Sequence, residues 1–218
     1  MSPISSWPAP KAVLFDLDGT LVDSSGDLLA ALAHVRQSLG IPGPAPVSAA
    51  QFISSGAVAM LQAGLPEQFH PQMAQLRETF LEFYGANICE HSTVYPGGRA
   101  LIQTLESRHI RWGIVTNKPY ALALSLVNAL GLKPGVLVGG DSLAEKKPHA
   151  APVLYACEYL QTAAADTWMV GDDPRDVQAG KAAACGKTIA CSYGFLGDTP
   201  DLQTWGADAI IDGLSELF

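Results

Sequence analysis

Charge is scarce in this sequence, and positive charge is scarcer still. Only 16% of its 218 residues are charged, and 13 Lys plus Arg stand against 21 Asp plus Glu, a formal net charge of -8. So thin a set of cations offers no basic footprint for a nucleic-acid backbone. No apolar run approaches the roughly 18 residues of a membrane-spanning helix. The first ten residues are rich in Ser and Pro and lack the basic-then-apolar order of a secretory signal. Cysteine is rare, and Cys89, Cys157, Cys185 and Cys191 have neither metal-ligand nor redox spacing. They read as reduced packing residues of a cytoplasmic protein. Internal repeats and low-complexity tracts are absent. Apolar residues, by contrast, are plentiful at 48%, and a chain of this length can bury one sizeable core, or one core plus a small satellite. An anionic small molecule remains compatible with the acidic balance if a metal or a particular lysine supplies local positive charge. No feature fixes the oligomeric state.

Six short, mostly apolar runs punctuate the chain: 11–15, 112–115, 136–138, 167–170, 187–190 and 209–211. Runs of this kind suit buried strands of a parallel sheet. Helix-length segments at 101–108, 120–130, 151–161 and 177–184 separate most of them. The alternation predicts a doubly wound, mostly parallel α/β sheet with ligands beyond the carboxyl ends of its strands. The interval after the first run differs. Leu28, Leu32, Val35 and Leu39 have helical spacing, and further helices are expected over 49–63 and 67–84. About seventy residues without a strand signal thus predict a small helical cap. The expected division is core for 1–22, cap for 23–95 and core again for 96–218.

The densest chemistry directly follows the first run, in Asp16-Leu17-Asp18-Gly19-Thr20. Residues two apart on an extended strand lean to one side, which pairs Asp16 with Asp18. Gly19 lets the backbone turn or approach a ligand, and Thr20 adds a hydroxyl. A second acidic group, Gly171-Asp172-Asp173-Pro174-Arg175-Asp176, also follows an apolar run. Asp172, flush with the strand end, reads as a metal ligand. Asp173 is divided between helix capping and the metal, and Asp176 points to the metal's water shell. Paired acidic clusters suit magnesium, which takes carboxylate and water oxygens, and the cation would offset their mutual repulsion. Lys147, before Pro148, and Thr116, after the second run, could steady phosphate oxygens. On position alone a solvated lysine and an ordinary loop threonine are the better readings. Of the next two residues, Asn117 is the better phosphate-contact candidate, ahead of Lys118. His91 reads as a linker residue and Trp112 as core, with Trp168 nearer a surface turn.

Taken together, these four stations resemble the haloacid dehalogenase-like phosphohydrolases, in particular the phosphoglycolate-phosphatase-like branch with a helical cap. The resemblance runs from Lys11 to about Leu217. It implies Asp16 as nucleophile and Asp18 as the acid and base that serves the leaving group and the water. It also implies a magnesium ion held by Asp16, the Asp18 carbonyl and Asp172, with Asp173 and Asp176 around its water. Thr116 and Lys147 would be catalytic, and Gly19, Thr116, Asn117 and Lys147 would meet the phosphate of a small phosphorylated metabolite. Asp18 argues against dehalogenation, because halide departure needs no proton, but it leaves mutases open. A degenerate binding module would have lost Asp16, Asp18 or Lys147. Receiver domains lack the cap-sized insertion and the Asp-x-Asp spacing.

Within the family the stretches 83–89, 112–119 and 139–149 also resemble bacterial N-acetylmuramic acid 6-phosphate phosphatases. Residues 53–60 (ISSGAVAM) depart from that subtype, whose pattern has a second glycine and an arginine there. The balance of resemblance therefore favours a phosphoglycolate-type substrate, with Arg77, Arg175 or a helix N-terminus as candidate partners for its carboxylate.

Overall fold

Along the first strand, β1 (Ala12–Phe15), all four side chains are fully buried, but in two different places. Val13 and Phe15 enter one hydrophobic cluster, and Ala12 and Leu14 enter another. This is the period-two alternation of a strand covered on both faces. The other strands are β2 (Val22–Asp23), β3 (Thr93–Val94), β4 (Arg111–Val115), β5 (Leu137–Val138), β6 (Thr167–Gly171), β7 (Lys187–Cys191) and β8 (Ala209–Ile211). The protein is described by a computed structural model covering residues 3–197, 199 and 201–218.

Six strands form one sheet in the order β5-β4-β1-β6-β7-β8, and every pairing in it is parallel. The helices α1 (Ser25–Ser38), α2 (Ala57–Gly64) and α3 (Met73–Ala86) precede α4 (Gly98–Ser107), α5 (Tyr120–Ala129), α6 (Ala151–Tyr159) and α7 (Pro174–Ala182). Leu101 and Leu105 of α4 and Leu126 of α5 cover one face of the sheet, over Val13, Phe15 and Ile114. Val153 and Cys157 of α6 and Ala179 of α7 cover the other, over Leu14 and Met169. The doubly wound architecture expected from the alternation is therefore present, and all six expected strands occur within a residue of their predicted limits. Trp168 is a correction: it is buried in β6, edge-on to Trp7 and stacked on Phe218. No described helix is long and apolar enough to cross a membrane.

Helices α1 to α3 enclose a cluster of their own, built on Leu28, Leu32 and Val35 of α1, Met60 and Leu61 of α2, and Leu76 and Phe80 of α3. Two helices expected to be continuous are broken. The segment expected over 49–63 splits into a 3-10 stretch (Val47–Phe52) and α2, with Gly56 at φ 92 between them. The segment expected over 67–84 begins as a 3-10 stretch (Glu67–Gln72) containing Pro71, whose missing N–H cannot join an α ladder. The chain leaves and re-enters the sheet layer side by side, because β2 and β3 pair antiparallel. Strands of two residues are too short to show alternation, and nothing in the sequence announced them.

Asp27, buried at the start of α1, ties this double crossing together. It accepts hydrogen bonds from the backbone N–H of His91 (2.8 Å) and Ser92 (3.1 Å) and from the Ser92 hydroxyl. Gly26 permits the approach, since a Cβ there would lie 2.6 Å from that of His91. Asp27→Ala should strand these buried donors and lower stability by about 3 kcal/mol. At this chain length that is a fall of roughly 6–12 °C in Tm by calorimetry, with Asp27→Asn losing less. A fall below about 2 °C would mean that the paired strands hold the junction without Asp27.

Candidate active site

Three neighbouring strands, β4, β1 and β6, end at the same edge of the sheet. That edge brings Thr116, Asp16 with Asp18, and Asp172 together from positions far apart in sequence. Asp16, Asp172 and Asp176 are buried, and each offers a carboxylate oxygen within 4.8 Å of the others. Lys147 reaches into this cluster from the loop between β5 and α6. Its Nζ donates to Asp16 Oδ1 at 2.8 Å and to Asp176 Oδ1 at 2.6 Å.

Close approach requires bare backbone. Gly19 has φ 87, and a Cβ there would lie 2.0 Å from Asp172 Oδ2. At Gly171 a Cβ would lie 2.1 Å from Asp176 Oδ2. Asp172 is held by Thr20 Oγ1 on one oxygen (3.0 Å) and by Ser54 Oγ and the Phe195 N–H on the other (both 2.8 Å). Ser54 belongs to the α1–α3 unit, so that unit bonds directly to a member of the acid cluster.

The electrostatics are unbalanced. Burial pushes the Asp172 carboxyl well above its ordinary range, and Asp16 and Asp176 push it further. Burial also pushes Asp176 up to about 7, with Lys147 pulling the other way. Burial disfavours the Lys147 ammonium, yet Asp16 and Asp176 outweigh it and its pKa is raised. Three carboxylates facing one ammonium leave an excess of negative charge that a divalent cation would compensate. An all-oxygen donor set of this kind suits magnesium. The residues present therefore fit the metal implied by the sequence.

The remaining predicted residues take distinct positions. Asp18 Oδ1 accepts from Ser24 Oγ at 2.6 Å, and both of its oxygens accept from Lys118 Nζ at 3.0 and 3.1 Å. Thr116 is buried, and its Oγ1 accepts from the Lys118 N–H. Asn117 donates its Nδ2 to the Lys147 carbonyl at 2.9 Å, so its side chain supports the lysine loop. The Gly19 N–H is spent on the Val22 carbonyl, and the glycine serves the site through its close approach to Asp172. Asp173 stands outside the three-carboxylate cluster. It caps α7, and both its oxygens accept from the Arg175 guanidinium at 2.7 Å. Arg175 also donates to the Ser54 carbonyl at 2.6 Å. Lys118, ranked below Asn117 on sequence, is the residue that reaches Asp18. It also lies 4.4 Å from the centre of the Tyr84 ring. Its place two residues after Thr116 was the available signal.

A cavity of about 250 Å³ opens above these groups, with Thr116 and Lys147 on the sheet side and α2 and α3 opposite. In chelator-treated protein the raised Asp172 and Asp176 keep protons that the unfolded chain releases near pH 4. Stability therefore falls as pH rises from about 4 through 7. Asp172→Asn removes one of the crowded charges and should raise Tm by roughly 3 °C at pH 8, the effect of about 1 kcal/mol, and by less at pH 5. Equal shifts in calorimetry at the two pH values would contradict the crowding.

A Chromobacterium violaceum protein named phosphoglycolate phosphatase is 36% identical over 95% of both chains. A Pseudomonas aeruginosa protein named N-acetylmuramic acid 6-phosphate phosphatase is 35% identical over 95% of this chain and 92% of its own. A crystal structure from Haemophilus somnus, described as a predicted phosphoglycolate phosphatase, superposes with a TM-score of 0.82 at 28% identity, covering 95% of this chain and 96% of the other. Residues 13–190 match the haloacid dehalogenase-like hydrolases, and the chain belongs to that family.

Proposed function

We propose that this chain is a magnesium-dependent phosphatase that passes the phosphoryl group of a small phosphorylated metabolite through Asp16. The observation that carries this reading is the Lys147 ammonium shared between Asp16 and Asp176, with Asp172 in the same buried cluster, at the floor of a cavity. The names of the aligned relatives support a phosphoric monoester hydrolase.

In the first step an Asp16 oxygen attacks phosphorus in line, and the bond to the ester oxygen breaks. Asp18 gives the departing oxygen its proton, so an alcohol leaves and Asp16 carries the phosphoryl group as a mixed anhydride. Asp18 then takes a proton from water. The water oxygen bonds to phosphorus, phosphate departs and the Asp16 carboxylate is restored. Lys147 and Thr116 steady the phosphoryl oxygens, so the work is mostly positioning and electrostatic. Magnesium, when bound, would supply Lewis-acid stabilisation of phosphoryl oxygens. Asp16, the Asp18 carbonyl and Asp172 would hold it, with Asp176 rather than the Arg175-bound Asp173 beside its water.

The same reading makes 23–95 a cap over a core of 1–22 and 96–218. Ser54 on Asp172 and Tyr84 against Lys118 support a cap that seals the reaction from bulk water. Phosphoglycolate-type substrates are favoured by the number of relatives bearing that name and by the absence of a basic residue in 53–60. An amino-sugar phosphate is the second reading, favoured by a cavity larger than a two-carbon acid phosphate fills.

Asp16→Asn should abolish magnesium-dependent release of phosphate from phosphomonoesters, and undiminished turnover would exclude the covalent route. Asp18→Asn should slow turnover by roughly 10²–10⁴-fold. In rapid-quench measurements its first-step penalty should be smaller for phenolic esters, which leave without a proton, than for alkyl esters. The same penalty for both would remove Asp18 from leaving-group chemistry.

A further inference from the structure

The cations around the cavity are not equivalent. Lys147 is spent on Asp16 and Asp176, Lys118 on Asp18, and Arg175 on Asp173 and Ser54. Arg77 and Lys146 also line the cavity, yet the side chain of neither makes an ion pair or hydrogen bond among the described residues. They approach from opposite walls, Arg77 on α3 and Lys146 on the loop that carries Lys147. Among the described residues, the carboxylates that line the same cavity, Asp16, Asp18, Asp173 and Asp176, each face a cation already. Two cations whose side chains have no partner among the described residues therefore border the reaction chamber.

Helix α3 has a second unspent group. Arg77, Phe80, Leu81 and Tyr84 all line the cavity, and their spacing of 3, 4 and 7 residues puts them on one helix face. Tyr84 is 1% exposed, the Lys118 ammonium lies beside it, and its hydroxyl proton meets no acceptor among the described residues. Burial pushes its pKa up to about 12, so at neutral pH it is a phenol with a proton to donate. A buried donor left unpaired is costly, and native structures rarely keep one without a use. The α3 stripe thus runs from a hydroxyl beside Lys118, across an apolar floor, to a guanidinium. At 1.5 Å rise per residue the ends lie roughly 10 Å apart along the axis.

We propose that this stripe selects the leaving group, with Arg77 and Lys146 receiving a carboxylate and the Tyr84 hydroxyl donating to an oxygen nearer the phosphate. The preferred substrate is then a phosphorylated hydroxy acid, and Arg77 and Tyr84 determine specificity rather than take part in bond breaking. Arg77 is suited to the task because a guanidinium meets a carboxylate through two parallel N–H donors. Arg175, the other arginine considered for this role, is excluded by its bonds to Asp173. This assignment rests on the phosphatase reading.

The test compares matched acid and neutral esters with magnesium present: phosphoglycolate against phosphoglycolamide, and N-acetylmuramic acid 6-phosphate against N-acetylglucosamine 6-phosphate. Wild-type protein should prefer the acid in at least one pair. Arg77→Ala should narrow that preference in kcat/KM by fivefold or more, mainly through KM, with Arg77→Lys recovering part of it. Tyr84→Phe, which removes only the hydroxyl, should lower kcat/KM for the preferred acid threefold or more. The responding pair also reports how far the carboxylate lies from the phosphate. No acid preference in either pair, or a narrowing below fivefold in Arg77→Ala, overturns the assignment. Magnesium-dependent hydrolysis of p-nitrophenyl phosphate by wild-type protein separates the two readings. Its absence defeats the phosphatase reading itself, whereas its presence without acid preference defeats only the carboxylate site.

Discussion

One ammonium group holds the buried acid cluster together. Lys147 Nζ bonds to Asp16 and Asp176 in a place where three carboxylates have been taken out of water. Removing charge from solvent is expensive, and a single lysine cannot balance three acids at close range. The surrounding structure accommodates what the lysine does not. Thr20, Ser54 and the Phe195 amide donate to Asp172, while Gly19 and Gly171 give the acid groups room. The remaining imbalance shows in the raised Asp172 and Asp176 carboxyls. A site that crowds like charges gives up stability for a strong field, and such a field favours a divalent cation.

The helical unit shares this arrangement. Its Ser54 bonds to Asp172, its Ser54 carbonyl accepts from Arg175, and its Tyr84 ring lies against the lysine that pairs with Asp18. In the reverse direction, Phe195 leaves the sheet edge to pack in the helical unit's own cluster while its amide holds Asp172. Position of the unit and geometry of the acids are thus linked through hydrogen bonds, and Asp27 fixes the two crossings between them. Closure of one over the other would change polar contacts at the centre, not only access to it.

The sheet and the acid pairs were legible in the sequence because both are local. A parallel strand buried on two faces must be a short apolar run, and Asp16, Asp18, Asp172 and Asp176 stand where such runs end. The capping of α7 by Asp173 ahead of Pro174 was legible for the same reason, since a helix cap is local. Within the helical unit, apolar spacing continued through Gly56 and Pro71, so breaks that depend on backbone φ and a missing N–H were hidden by a correct periodicity. The two-residue strands β2 and β3 had no pattern to read.

Side-chain commitments were a different matter, because they depend on which groups the fold brings face to face. By itself the sequence determined the α/β order, the run of helices after the first strand, and the acids and threonine that follow the strand ends. Only the tertiary structure decided that Lys118 rather than Asn117 reaches Asp18, that Asp173 belongs to Arg175, and that Ser54 crosses from the insertion to Asp172. The last of these contacts joins residues 118 positions apart. Hydropathy and spacing report how an element meets solvent and its neighbours in general. Which oxygen receives which proton is set by distances of about 3 Å between elements remote in the chain, and those exist only once the sheet has closed around them.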